Sequence, residues 1–308
     1  MKPIINFERI LCPVAQSHET DEGLHYAIAL ARSYSAKLFV LTCRDELPID
    51  AGEKEEAMRV SIKRAMEHSF IRFPGTADHI DWELVVLQST RPSDSIKREA
   101  ENKNVDLIVM SSHRQPSAAV LLGSTAEAIS RTAPCPVLVT RGGQLDHRSA
   151  IGSSDFKKLL VASDFSCDSE LALRYGLSLA QENQSELHLL HVMSASKSEG
   201  GEIAWTAQTE EGPYHLAARR LHESIPAEAH LWCQVTHTVR AGTPYREIVS
   251  YAVEHEIDLI CVGANGQGSK LGTLFGSNTE RVLRRSPCPV LVTRPLKLAE
   301  GGSLQAER

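Results

Sequence analysis

Residues 134–141 read Pro134-Cys135-Pro136-Val137-Leu138-Val139-Thr140-Arg141, and the same string returns as Pro287-Cys288-Pro289-Val290-Leu291-Val292-Thr293-Arg294. Upstream, Val105-Asp106-Leu107-Ile108-Val109 is matched by Ile257-Asp258-Leu259-Ile260-Cys261. Further back, Arg9-Ile10-Leu11-Cys12-Pro13-Val14 corresponds to Lys158-Leu159-Leu160-Val161-Ala162-Ser163. A repeat of about 140 residues is domain-sized, not solenoid-sized. The chain therefore reads as a duplicated domain: 1–141, a polar linker 142–155 with Gly142-Gly143 and Gly152-Ser153-Ser154, a second copy 156–294, and a flexible tail 295–308.

Working outward through the second copy, apolar runs alternate with segments of helical spacing. Strands are expected at 158–163, 187–193, 234–240, 258–263 and 290–293. Helices are expected at 168–181, from about Tyr214, at 244–255 and at 277–285, with Ser166 or Asp168 capping the first. The first copy gives the same order, with strands near 9–14, 37–42, 80–87, 106–111 and 137–140. Strands alternating with helices imply parallel pairing through right-handed crossovers. The fold class is α/β, each copy a five-stranded parallel sheet flanked by helices.

Composition limits the function classes. The 308 residues carry a net charge of -6, which argues against a general nucleic-acid binder. No apolar run is long enough for a membrane span, and residues 1–10 lack the apolar core of a secretory signal. The seven cysteines form no CxxC pair, so reduced buried thiols in a cytoplasmic protein are expected. Among 13 histidines, His188 and His191 lie three apart in one strand and face opposite sides. His230 and His237 do the same if one strand holds both. No nucleophile triad, metal cage or Walker lysine is visible.

The segment that carries chemistry is Gly263-Ala264-Asn265-Gly266 followed by Gly276-Ser277 at a helix start. Glycines let a backbone turn sharply and approach a ligand closely. Successive N–H groups in such a turn make an anion concavity, and Ser277 adds a hydroxyl where the helix dipole favours negative charge. Gly263 ends a strand, where open α/β sheets bind ligands.

With Asp164-Phe165-Ser166 after the first strand, Gly242-Thr243-Pro244 before a helix, this glycine loop and the closing Pro-Cys-Pro-Val-Leu-Val-Thr-Arg, the chain resembles the universal stress protein family in its tandem form. The resemblance implies Rossmann-like domains of the adenine-nucleotide α-hydrolase type. It implies an ATP site (or ADP or AMP), with Mg2+ brought by the phosphates. Gly263, Asn265, Gly266, Gly276, Ser277 and Asn278 would surround the phosphates. Asp164 would accept from the ribose, with a helix cap as its other reading. Ala162, Val192 and Val262 would wall the base, or serve as plain core. Lys270 is either a phosphate contact or a solvated loop lysine.

The first copy departs from this pattern. Ser111 stands for Gly263, Arg114 for Gly266, Ala15 for Asp164 and Thr90 for Gly242. It is expected not to bind ATP in the family manner, with His113 and Arg114 either a small anion site or drifted loop residues. By resemblance, residues 136–140 and 289–293 would pair as an intramolecular pseudo-dimer, with further homodimerisation of whole chains. The expected function is a cytoplasmic, nucleotide-dependent stress-response regulator. It is not expected to be an enzyme, or at most hydrolyses ATP weakly. The other reading is a nucleotide-independent interaction protein. The long polar segment 194–213, with Trp205, reads as a lid, a partner site or a mobile loop.

Overall fold

Strands that are apolar on both faces need cover above and below, so each half must build a layered sheet. The computed structural model describes residues 5–14, 22–44, 80–112, 122–140, 156–194, 212–267 and 275–295, together with 52, 56–57 and 59–64. His113, Arg114, Ala15, Trp205 and Lys270 lie outside the described residues. Contacts divide the described chain into two units, one of residues 6–140 with Arg294 and Pro295, the other of Ile5 with residues 156–293.

The first unit runs β1 (Arg9–Pro13), α1 (Glu22–Tyr34), β2 (Lys37–Arg44), β3 (Trp82–Gln88), α2 (Pro92–Asn102), β4 (Leu107–Ser111), α3 (Ser124–Thr132) and β5 (Val137–Thr140). Its strands are parallel in the order β3-β2-β1-β4-β5. Ile10, Leu11 and Cys12 in central β1 are fully buried. The second unit runs β6 (Lys158–Ser163), α4 (Cys167–Asn183), β7 (Glu186–Met193), α5 (Pro213–Glu223), a 3-10 turn (Ala227–Leu231), β8 (Val235–Ala241), α6 (Pro244–Glu254), β9 (Leu259–Gly263), α7 (Ser277–Arg285) and β10 (Val290–Thr293). Its order is β8-β7-β6-β9-β10, again parallel.

The helices follow their caps. Ser166 caps α4, its hydroxyl accepting from the Ser169 N–H at 3.3 Å, so of the two expected candidates Asp168 is left for another role. Within α4, a Cβ on Gly176 would meet Val161 Cγ2 at 2.5 Å, and this lets α4 lie close on β6. Each fully buried Leu, Ile or Val in these layers contributes about 1.5–3 kcal/mol.

Two sequence expectations change. His230 lies in the 3-10 turn and His237 in β8, so no single strand holds both. Cys12, Cys135, Cys233, Cys261 and Cys288 are buried as expected, but Cys167 is exposed at the first residue of α4. Burial pushes the thiols of Cys135 and Cys261 up, and that of Cys233 up to about 11.

The repeated aspartate has a structural role in both units. Asp258 Oδ2 accepts from the N–H groups of Lys157 and Lys158, each at 2.9 Å, and so ties the entry of β6 to that of β9. Asp106 Oδ2 does the same for Glu8 (2.7 Å) and Arg9 (3.1 Å), while its Oδ1 is buried without a partner. Burial, only partly offset by those N–H groups, pushes the Asp106 carboxyl up to about 6. Folding then favours the protonated form, so the charged carboxylate costs stability above pH 6, and that cost disappears as pH falls towards the unfolded value. Urea unfolding of the wild type and Asp106→Asn will show the wild type gaining on the variant between about pH 7 and pH 4. A pH-independent difference would show that the carboxyl is not strained by burial.

Candidate functional site

At the C-terminal ends of β6, β7 and β9 the second unit encloses a cavity of about 980 Å3. Strands β6 and β9 are neighbours, and helices α4 and α7 begin beside their ends. The cavity floor is therefore made of strand ends and its rim of helix N-termini.

One side is apolar. Ala162, Val192 and Val262 line it as the sequence predicts, joined by Leu190, Pro244 and Ile248, which sequence reasoning missed. Pro244 and Ile248 come from α6, and only the fold brings that helix over the sheet. His191 also lines the cavity. Its Nδ1 donates to the Ser163 carbonyl at 2.8 Å. His188, facing the other way as predicted, bonds Tyr251 Oη through Nδ1 at 2.9 Å. Burial, with His255 nearby, holds its pKa below the usual histidine value.

The other side is polar. Asp164, Gly263, Asn265, Gly266, Gly276, Ser277 and Asn278 all line the cavity. Asp164 forms a tight turn: its Oδ1 accepts from Ser166 N at 3.1 Å and from Ser166 Oγ at 2.5 Å, with Phe165 at φ +63° between them. Its Oδ2 accepts from Gln267 N–H at 2.7 Å. Burial pushes this carboxyl up, but the bonds from Ser166 and Gln267 outweigh it and hold the pKa below the ordinary value. Asp164 is thus not the helix cap, a role that belongs to Ser166. Asp168, the second residue of α4, reaches the loop: its Oδ2 accepts from both Asn265 N and Asn265 Nδ2 at 2.9 Å.

These contacts revise the chemistry of the glycine loop. Neither Gly263, Gly266 nor Gly276 has a positive φ. A Cβ on Gly263 would meet the Asp168 backbone carbon at 2.8 Å, and one on Gly266 would meet Asp164 Oδ2 at 2.7 Å. The glycines make room for two aspartates of the protein itself. The N–H groups of Asn265 and Gln267, which the sequence offered to an anion, are held by those carboxylates. The first turn of α7 also leaves donors open. Gly276 is its N-cap and supplies no side-chain hydrogen bond. Helix geometry leaves the N–H groups of Ser277, Asn278 and Thr279 without intrahelical acceptors, since the first such bond runs from Glu280 N to Gly276 O at 3.0 Å. Ser277 and Asn278 are exposed. A helix start with free N–H groups and a serine hydroxyl favours an anion.

The sequence model of the universal stress protein family matches residues 6–141 and 155–294. The chain belongs to that family. Universal stress protein MJ0531 of Methanocaldococcus jannaschii is 29% identical over 154 residues, covering 47% of this chain and 86% of the relative. Universal stress protein Rv2623 of Mycobacterium tuberculosis is 32% identical over 178 residues, covering 56% of each. A solved universal stress protein from Archaeoglobus fulgidus shares the fold, with a TM-score of 0.67 at 22% identity, covering 96% of this chain and 99% of that one.

The first unit uses the equivalent positions differently. Ser111, in place of Gly263, is buried, and its hydroxyl accepts from the Gly23 N–H at 2.8 Å in the first turn of α1. It also pairs with Thr140 Oγ1 at 3.2 Å. The side chain that replaces the glycine caps a helix.

In the second unit, Gly263→Ala places a methyl against the α4 backbone and will destabilise the protein by about 1–3 kcal/mol in denaturant unfolding, the usual cost of overpacking. Unchanged stability would contradict the close approach of α4 to this loop.

Proposed function

We propose that the second unit binds one adenine nucleotide, with the phosphates on the first turn of α7 and the base against Ala162, Val192 and Val262. The observation that carries this is the uncapped start of α7, at Gly276, Ser277 and Asn278, lining the same cavity as the apolar Ala162, Val192 and Val262. Asp164 Oδ1 is filled by the two bonds from Ser166, while Oδ2, which accepts only from Gln267 N–H, keeps a lone pair for a ribose hydroxyl. ATP is the ligand we favour over ADP and AMP, and Mg2+ would come with its phosphates rather than from a protein cage. The first unit, with Ser111 committed to α1, acts as the partner domain. The protein then works as a cytoplasmic stress-response regulator whose state reports the nucleotide. It is a binding module, not an enzyme. Asp168 is held by the loop N–H groups of Asn265, and Asp164, its pKa lowered by its hydrogen bonds, is a poor proton acceptor for water.

One observation favours a second reading. The loop N–H groups of Asn265 and Gln267 are satisfied by the protein itself, so the loop keeps its shape without a ligand. A nucleotide-independent interaction protein would also look like this.

Ser277→Glu separates the two. Position 277 is exposed, and a carboxylate in a helix's first turn suits the dipole, so stability will hold or rise slightly. Calorimetric titration of Mg2+–ATP will show one site per chain in the wild type and at least about tenfold weaker binding in the variant, since each tenfold is about 1.4 kcal/mol. Equal affinity in both proteins would move the phosphates off α7. No wild-type binding at about millimolar ATP, roughly -4 kcal/mol, would leave the interaction reading.

A further inference from the structure

Three arginines of the second unit converge on one tyrosine. Tyr245, near the start of α6, is 9% exposed. The guanidinium carbons of Arg281, Arg285 and Arg246 lie 5.2, 5.6 and 5.9 Å from its ring centroid. Arg246 Nε donates to Tyr245 Oη at 3.0 Å. All three arginines are exposed.

Among the described residues of this unit, three other arginines have carboxylate partners, while the exposed Arg174 has none and Arg220 lies over the Phe165 ring at 4.3 Å. Arg284 bonds Glu280 at 3.1 Å, Arg240 bonds Glu254 at 2.5 Å, and Arg219 lies 3.9 Å from Glu223. Among the described residues no ion pair engages Arg246, Arg281 or Arg285. Three exposed cations gathered around one ring repel one another, and the ring contacts and the Arg246–Tyr245 hydrogen bond offset that repulsion.

The duplication supplies a control. Aligned on the shared Pro92/Pro244 and Gly123-Ser124/Gly276-Ser277, the first copy has Ser93, Asp94, Ala128 and Thr132 where the second has Tyr245, Arg246, Arg281 and Arg285. The structural pair at the same place is kept: Glu127–Arg131 at 3.1 Å repeats Glu280–Arg284. The fold needs the paired arginine in both copies and the cluster in neither.

We propose that Tyr245, Arg246, Arg281 and Arg285 form an anion-binding site on the α6–α7 face for a phosphate monoester. Guanidinium groups present forked N–H donors that match phosphate oxygens, and a dianion balances this charge better than a carboxylate does. Tyr245 adds a donor: its oxygen already accepts from Arg246, so its own proton is free to point outwards. The Arg246 hydrogen bond, aided by the charges of Arg246, Arg285 and Arg281, holds the phenol below its usual pKa, and a bound dianion will raise it. The site is separate from the cavity, none of whose lining residues belongs to the cluster.

The test is titration of the 15N-labelled full chain with phenyl phosphate, and with a peptide carrying one phosphoserine, followed at the arginine Nε–H signals. Saturable shifts at Arg246, Arg281 and Arg285 are expected. They will weaken at least about tenfold in Arg281→Ala/Arg285→Thr, since charge-assisted hydrogen bonds are lost. These are exposed positions given the first copy's residues, so an unchanged melting temperature is expected. Tighter binding of the peptide than of phenyl phosphate assigns the phosphate to a protein partner, and equal binding to a small metabolite. Equal binding by the double variant, or equal binding of the unphosphorylated peptide, would overturn the proposal.

Discussion

The geometry around the cavity depends on how closely the start of α4 approaches the loop after β9. A Cβ at position 263 would stand 2.8 Å from the Asp168 backbone, so only glycine permits the contact. Once α4 is that close, Asp168 reaches Asn265 and Asp164 reaches Gln267. Two charge-assisted bonds then fix a loop that would otherwise carry unsatisfied N–H groups, and such bonds are stronger than neutral ones. With the loop closed on itself, the first turn of α7 keeps open donors at the cavity rim.

The two copies show which features the fold requires. Both keep the aspartate that clips the entries of neighbouring strands, Asp106 in one and Asp258 in the other. Both keep the ion pair in the helix before the last strand. They differ where helix meets loop. The first copy caps its helix with Ser111 from the end of β4, reaching Gly23. The second caps α4 locally with Ser166, which frees position 263 to be glycine. Exchanging one cap for the other converts the end of a strand from closed to open, at no cost to the sheet.

Much of this was legible in the sequence. Strand β6, helix α7 and strand β10 fall where apolar runs and the Gly-Ser helix start place them, because those signals are local. All the residues expected around a nucleotide do line one cavity. The meaning of the glycines was not legible. A sequence shows that a side chain is missing but not what enters the space, and the groups that enter lie about a hundred positions away: Asp168 meets Asn265 at a separation of 97 residues, and Asp164 meets Gln267 at 103. The contribution of α6 to the apolar wall was hidden for the same reason. The 3-10 turn at Ala227–Leu231 escaped because a single short turn has no periodicity to read, and with it went the assumption that His230 and His237 could share a strand. The arginine cluster escaped because residues 246 and 281 become neighbours only when α6 and α7 pack together.

The most direct measurement is photo-crosslinking of the intact chain with 8-azido-ATP, followed by peptide mapping of the attachment site. The account predicts one label per chain, competed by ATP and confined to the segments around Ala162, Val192 and Val262. Labelling within residues 6–140, or labelling that ATP does not compete, would contradict it.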